Sequence, residues 1–231
     1  MKWLWLWLVG LFAAAPAASP LPLPVTALQE FGGFLYSQVV VEDLSRLRLA
    51  SNLNERENSA DLSSQNQCQV LTSAGFYDTA NQHLGWFQVN GRELSPRQIN
   101  RLFDGFLSIE NGRAELDFQP NPTADYGLQS GPMLIYDAKP LKLTIKADQP
   151  RRRVVAALTQ EGRLILLVIL SPKSDYAGPL LAETPKLLLA LNPEIVTAVN
   201  LDGGSASAFI TPEVSLKEYK PIGGFFCYTG L

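Results

Sequence analysis

The chain has 231 residues, enough for one large domain or two small ones with a sizeable buried core. Hydrophobic residues make up 46% and charged residues 18%, against roughly 25% charged in an average soluble protein, which excludes disordered and collagen-like chains. With 19 Lys+Arg against 22 Asp+Glu the chain as a whole has no basic excess to hold a phosphate backbone or an anionic membrane surface, so nucleic acid is not an expected partner; one His and two Cys fall short of a four-ligand Cys/His zinc site, and no metal or cofactor is expected.

Met1-Lys2 supplies a minimal positive start, Trp3 to Ala15 is an apolar run, and Ala15-Pro16-Ala17 offers small residues of the cleavage-site type. Residues 1–17 therefore read as a secretory signal peptide, with the mature chain starting near Ala18. The run is shorter than the ~20 residues of a membrane-spanning helix, although an uncleaved anchor is the alternative. Pro20, Pro22 and Pro24 make 18–33 an extended tether, and 34–231 is the domain. A periplasmic or secreted protein without stable membrane insertion after cleavage is expected. Asn121-Pro122-Thr123 is no glycosylation acceptor because of its proline, which suits a bacterial exported chain.

Export and an even cysteine count raise the question of a bridge. Cys68 and Cys227 either pair, tying the first third of the domain to its last strand, or pack separately as small hydrophobes in Cys68-Gln69-Val70-Leu71 and Phe225-Phe226-Cys227-Tyr228.

In chain order, strands are expected over Phe34–Val41, Cys68–Ser73, Gly85–Val89, Gly105–Ile109, Arg113–Phe118, Met133–Tyr136, Arg153–Leu158, Arg163–Leu170, Ile195–Leu201 and Ala206–Ile210. Asn111-Gly112 and Glu161-Gly162 supply hairpin turns. Phe31-Gly32-Gly33-Phe34 and Ile222-Gly223-Gly224-Phe225 read as the starts of strands. One helix is clear: Thr184 as cap, Pro185 at the first helical position, an apolar surface of Leu187, Leu188, Leu189 and Leu191, and a stop at Asn192-Pro193. A weaker one covers Pro96–Leu102. The fold class is α+β, a single sheet-rich domain with few helices.

Asn200-Leu201-Asp202-Gly203-Gly204-Ser205 is the chemical centre of the sequence. It places an amide, a carboxylate and a hydroxyl at the end of an apolar strand, with two glycines that let backbone N–H groups approach a ligand.

The segments Thr72-Ser73-Ala74-Gly75-Phe76-Tyr77-Asp78, Leu84 to Ser95, Gln129-Ser130-Gly131-Pro132-Met133-Leu134, Arg153 and Asn200 to Ser205 together resemble the phosphodiester glycosidase family, from about Val39 to the C-terminus. The resemblance implies an α+β fold on a mixed sheet and hydrolysis of a sugar joined to phosphate through its anomeric carbon. It further implies catalytic roles for Asp202 and Arg153 and substrate contacts from Asn200, Gly203, Gly204, Ser205, Gln129, Ser130, Ser73 and Gly75. Two positions depart from the family pattern: Ser73 stands where Asn is usual, and Ala157 where Gly is.

The chemistry of the residues agrees with such a substrate. A departing phosphate monoester is a weak base whose charge an arginine fork can hold, and Arg153 is the candidate, unless it is one more solvated member of the Arg151-Arg152-Arg153 run. Asp202 is suited to stabilising positive charge on the sugar, to binding a hydroxyl, or to acting as nucleophile or base, with Glu183 or Asp78 as a partner carboxylate. Asn200, Gln129, Ser130, Ser205 and Ser207 either bind sugar hydroxyls and phosphate oxygens or satisfy buried backbone. His83 reads as a surface-loop residue. Phe76, Tyr77, Trp86 and Phe87 divide between core packing and a sugar-stacking platform. The expectation is thus an exported phosphodiester glycosidase with a carbohydrate phosphodiester as its partner; a non-catalytic glycan-binding or envelope-assembly module is the alternative, and oligomeric state is open.

Overall fold

The computed structural model describes residues 26–230; the expected signal peptide and the proline-rich start of the tether lie outside the described residues. Three antiparallel sheets carry the fold. The first has seven strands in the order β1 (Gln29–Phe31), β2 (Phe34–Val41), β13 (Leu164–Leu170), β12 (Arg153–Thr159), β14 (Ile195–Asn200), β10 (Met133–Tyr136) and β11 (Lys139–Pro140). The second runs β16 (Ser215–Leu216), β15 (Phe209–Ile210), β4 (Cys68–Ser73), β17 (Gly224–Thr229) and β3 (Leu47–Ser51), and the third β6 (Arg92–Ser95), β5 (Phe87–Val89), β9 (Tyr126–Ser130), β7 (Gly105–Glu110) and β8 (Arg113–Asp117). Two α-helices, α1 (Ser59–Gln65) and α2 (Thr184–Leu191), are present among the described residues.

The sheet-rich α+β class is as expected, but every strand pairing among the described residues is antiparallel, so the sheets are not mixed. The continuous apolar runs of β12 and β13 have a different cause from a parallel sheet: both faces are covered. Val154, Ala156, Leu166 and Val168 point into one core with Leu49, Leu107, Leu128 and Phe226. Val155, Ala157, Leu167 and Ile169 point into a second core under Leu188 of α2. Each buried Val, Leu or Ile among them contributes about 1.5–3 kcal/mol.

Asn111 and Gly112 both take positive φ at the β7–β8 turn, where Glu110 faces Arg113. At the start of α2 the order is shifted by one residue: Glu183 holds the cap position without a side-chain bond, while Thr184 is already helical and its hydroxyl donates to the Leu180 carbonyl at 2.9 Å. The expected helix over Pro96–Leu102 is absent. Its apolar residues Ile99 and Leu102 face solvent, and its backbone groups are taken by side chains, as described below. Part of the expected tether is also folded: Thr26 N–H donates to the Gln38 carbonyl and β1 pairs with β2, because past Pro24 the backbone regains the N–H groups that a sheet needs.

Cys68 and Cys227 form a disulfide between the neighbouring strands β4 and β17, with Cα atoms 5.2 Å apart. It closes a loop of 159 residues, which in the chain-entropy account stabilises by roughly 5 kcal/mol.

Candidate active site

The C-terminal end of β14, the start of β12 and the exit of β4 meet at one point. The turn after β14 is stitched to both neighbours. Leu201 N–H donates to Val154 O at 2.8 Å and Gly204 N–H to Arg152 O at 2.8 Å, while Asp202 N–H donates to Ala74 O at 2.9 Å. The Ser73 hydroxyl closes the other side, donating to the Asp202 carbonyl at 3.0 Å. Gly203 lies so close to β12 that a Cβ there would stand 2.5 Å from the Arg152 carbonyl oxygen, and Gly204 has a φ of +64°, so both positions require glycine.

The turn floors a cleft of about 860 Å3 lined by Asn200, Asp202, Gly203, Gly204, Ser205 and Ala206, by Phe76, Tyr77, Asp78, Thr79 and Asn81 from the loop after β4, and by Arg56, Arg151, Arg153 and Lys220. Four cationic side chains thus face two carboxyl groups, and Arg56, Arg151 and Lys220 are exposed at the rim. Such a balance attracts an anion. Asp202 is 8% exposed; burial pushes its carboxyl well above the ordinary value, opposed by a hydrogen bond from the Gly203 N–H. Burial and the nearby Asp202 raise the Tyr77 phenol, with Arg56 acting the other way; the phenol donates to the Pro221 carbonyl at 2.6 Å.

Asp202, Arg153, Asn200, Gly203, Gly204 and Ser205 therefore converge, as do Asp78, Phe76 and Tyr77. Arg153 is a wall rather than a free fork: its Nε donates to Pro179 O at 3.0 Å, and its Nη2 donates to Gln149 O at 2.7 Å and lies 3.3 Å from Asp148. Asn200 donates from Nδ2 to Gly131 O at 3.0 Å, whereas its Oδ1 has no partner. Four expected contacts stand outside the cleft lining. Ser73 and Ser130 are fully buried and bond the carbonyls of Asp202 and Asn200 respectively. Gly75 backs onto Leu128 and Phe87. Gln129 accepts at Oε1 from Trp86 N–H and Gln98 N–H and donates from Nε2 to the Gln98 and Phe103 carbonyls.

Glu183 sits exposed before α2, away from the cleft lining. His83 is buried rather than on the surface. It stacks on Phe87 with ring centroids 3.7 Å apart, its Nε2 lies 2.9 Å from Ser51 Oγ, and burial lowers it to about 4. Trp86 and Phe87 are core residues.

Arg56, Thr79 and Lys220 carried no sequence signal: each is a single residue in a separate loop that only the fold brings to the rim. Arg152, read as part of a charge run, is fully buried. Its Nε donates to Ser207 Oγ at 2.8 Å, its Nη2 to the Ser207 and Lys217 carbonyls, and Tyr176 stacks on its guanidinium at 5.2 Å. Burial lowers it to about 10. Ser207 Oγ in turn donates to Gly204 O at 2.8 Å, so this buried cation braces the glycine turn.

The phosphodiester glycosidase family model matches residues 66–225, and the chain belongs to that family. The fold is similar to that of the catalytic domain of zebrafish N-acetylglucosamine-1-phosphodiester alpha-N-acetylglucosaminidase, auto-inhibited by its pro-peptide, with a TM-score of 0.67 and 14% identity over 93% of this chain and 85% of that one. It is also similar to a putative exported protein from Burkholderia pseudomallei (TM-score 0.62, 12% identity, 85% of this chain and 74% of that one). A hypothetical protein from Synechocystis gives a TM-score of 0.59 and 15% identity over 91% of this chain and 64% of that one. No curated protein matches the sequence.

Proposed function

We propose that the protein is a glycosidase that hydrolyses a sugar-1-phosphodiester, expelling a phosphate monoester from the anomeric carbon. One observation carries the reading: a deeply buried carboxyl, Asp202, lies at the floor of a cleft rimmed by Arg56, Arg151 and Lys220. The rim holds the diester phosphate and takes up the charge that grows on it as the bond breaks. An ionised carboxylate at the floor would repel that phosphate. Burial raises the Asp202 carboxyl, which favours its protonated form, weakens that repulsion and offers an acid to the scissile oxygen. Asp78 is the other carboxyl lining the cleft and is assigned to the water or to a sugar hydroxyl. Phe76 and Tyr77 offer ring faces to the sugar.

The apolar Trp3–Ala15 run and the Cys68–Cys227 bridge support an exported enzyme acting on an envelope or extracellular glycan, since bridges persist in oxidising compartments. Ser73 is the departure that motivates a non-catalytic module, yet its hydroxyl serves the Asp202 backbone and not the cleft. Incubation with a panel of sugar-1-phosphodiesters, followed by phosphorus NMR and free-sugar assay, tests the reading. The phosphomonoester and the free sugar should appear together; a panel left intact contradicts it.

A further inference from the structure

Residues 94–102 present three large apolar side chains to solvent: Leu94 is 47% exposed, Ile99 101% and Leu102 50%. Residues 92–102 carry Arg92, Arg97 and Arg101, with Glu93 as the sole acid, and none of these arginines is ion-paired among the described residues. A loose loop would fold such residues inward or leave them mobile. This one is held. The buried Gln129 uses both ends of its amide to bond the backbone at Gln98 and Phe103, Leu102 N–H donates to Asn100 Oδ1 at 2.8 Å, and the Arg97 guanidinium rests on the Phe106 ring at 5.3 Å.

We infer that residues 92–102 form a docking loop for an anionic lipid surface. Three separate apolar side chains on one short segment are far too few for a stable protein interface, which needs about 800 Å2 from each partner. They suffice for an interfacial anchor, where a few aliphatic side chains enter the headgroup boundary and neighbouring arginines meet anionic headgroups. Backbone fixed in advance by Gln129 leaves little ordering to be done on docking. The loop adjoins the cleft: Phe103 at its base lies 4.9 Å, centroid to centroid, from Phe76 of the cleft wall. Docking therefore holds the cleft beside the lipid surface. The inference uses no step of the proposed reaction.

Ile99→Cys tests it. Both native cysteines are in the disulfide, so the new thiol is the one reactive site for an environment-sensitive NBD label. Glu161→Cys, beyond the end of β12 opposite the cleft, is the control. With vesicles of phosphatidylcholine and phosphatidylglycerol, the label at 99 should shift to the blue and brighten while the label at 161 does not. Arg92→Glu with Arg101→Glu, which leaves the Arg97 brace intact, should raise the lipid concentration for half-maximal response roughly tenfold or more. No response, an equal response to pure phosphatidylcholine, or an equal response at 161 overturns the inference. A concentration-dependent shift without vesicles overturns it in favour of a protein–protein contact. The measurement uses no sugar phosphodiester, so its failure is separate from failure of the proposed activity.

Discussion

The Ser73 hydroxyl donates to the backbone carbonyl of Asp202 at 3.0 Å while Asp202 N–H donates to the carbonyl of Ala74, the residue after Ser73. The exit of β4 thus grips the glycine turn from one side as β12 grips it from the other. Ser73→Ala removes one half of the grip and leaves a buried carbonyl short of a partner. It should cost about 1–2 kcal/mol of stability and lower kcat with little change in KM, since no group lining the cleft is lost. A rise in KM alone, measured with intact stability, would place Ser73 against the substrate instead.

Substitutions at Arg153 and Lys220 should behave differently. Arg153→Lys abandons the carbonyls of Pro179 and Gln149, which a lysine cannot serve in the same fork, so denaturant titration should show a loss of about 1–3 kcal/mol along with lost activity. Lys220→Ala strips an exposed cation from the rim and should raise KM several-fold with an unchanged unfolding midpoint. An effect of the salt concentration on KM should shrink in the same variant.

His83 gives the fold a dependence on mildly acidic pH. Its ordinary value of 6.5 falls to about 4 in the folded chain because burial disfavours the imidazolium, so the unfolded chain binds the extra proton between those values. Stability is full above about pH 6.5 and is lost as pH falls toward 4, by up to ~3 kcal/mol. The His83 contribution is isolated by comparison: the unfolding midpoint of the unsubstituted protein relative to that of His83→Phe should rise with pH over this range.

Much of the sheet was legible because period-two and continuous apolar patterns are local. Phe34–Val41, Cys68–Ser73 and Met133–Tyr136 have the boundaries that the sequence pattern indicates. Unread were β3, β6 and the short strands β11 and β16, as well as α1, whose mostly polar residues bury just Ser59 and Leu62 beneath an Asn58 cap, and β9, whose Gln129-Ser130 end carries a motif that resembled a binding site. In the site itself, Asp202 and its glycines could be read because they are contiguous. The roles of Gln129, Ser130 and Ser73 could not, because whether an amide or hydroxyl faces a ligand or a carbonyl is decided by residues distant in the chain, here Gln98, Phe103, Asn200 and Asp202. The rim cations Arg56 and Lys220 are legible in no local pattern.

The same Asp202 that serves the cleft should weaken the fold as pH rises. A carboxyl raised above its ordinary 3.8 by burial keeps in the folded chain a proton that the unfolded chain releases. Its contribution is full below about pH 3.8 and declines as pH climbs toward the folded value. Asp202→Asn abolishes that decline, so its unfolding midpoint should rise above that of the unsubstituted protein, by a margin absent at pH 3.5 and growing from pH 4 upward.

The most direct test of the account is the turnover of Asp202→Asn beside the unsubstituted protein on a sugar-1-phosphodiester that the latter cleaves, with circular dichroism to show that both are folded. The amide keeps the shape of the carboxyl and cannot give up a proton as an acid. The account predicts a loss in kcat of at least ~100-fold, about 3 kcal/mol, together with a kcat for the unsubstituted protein that declines as pH rises through the elevated Asp202 value. A near-normal kcat in the folded Asp202→Asn variant would contradict it.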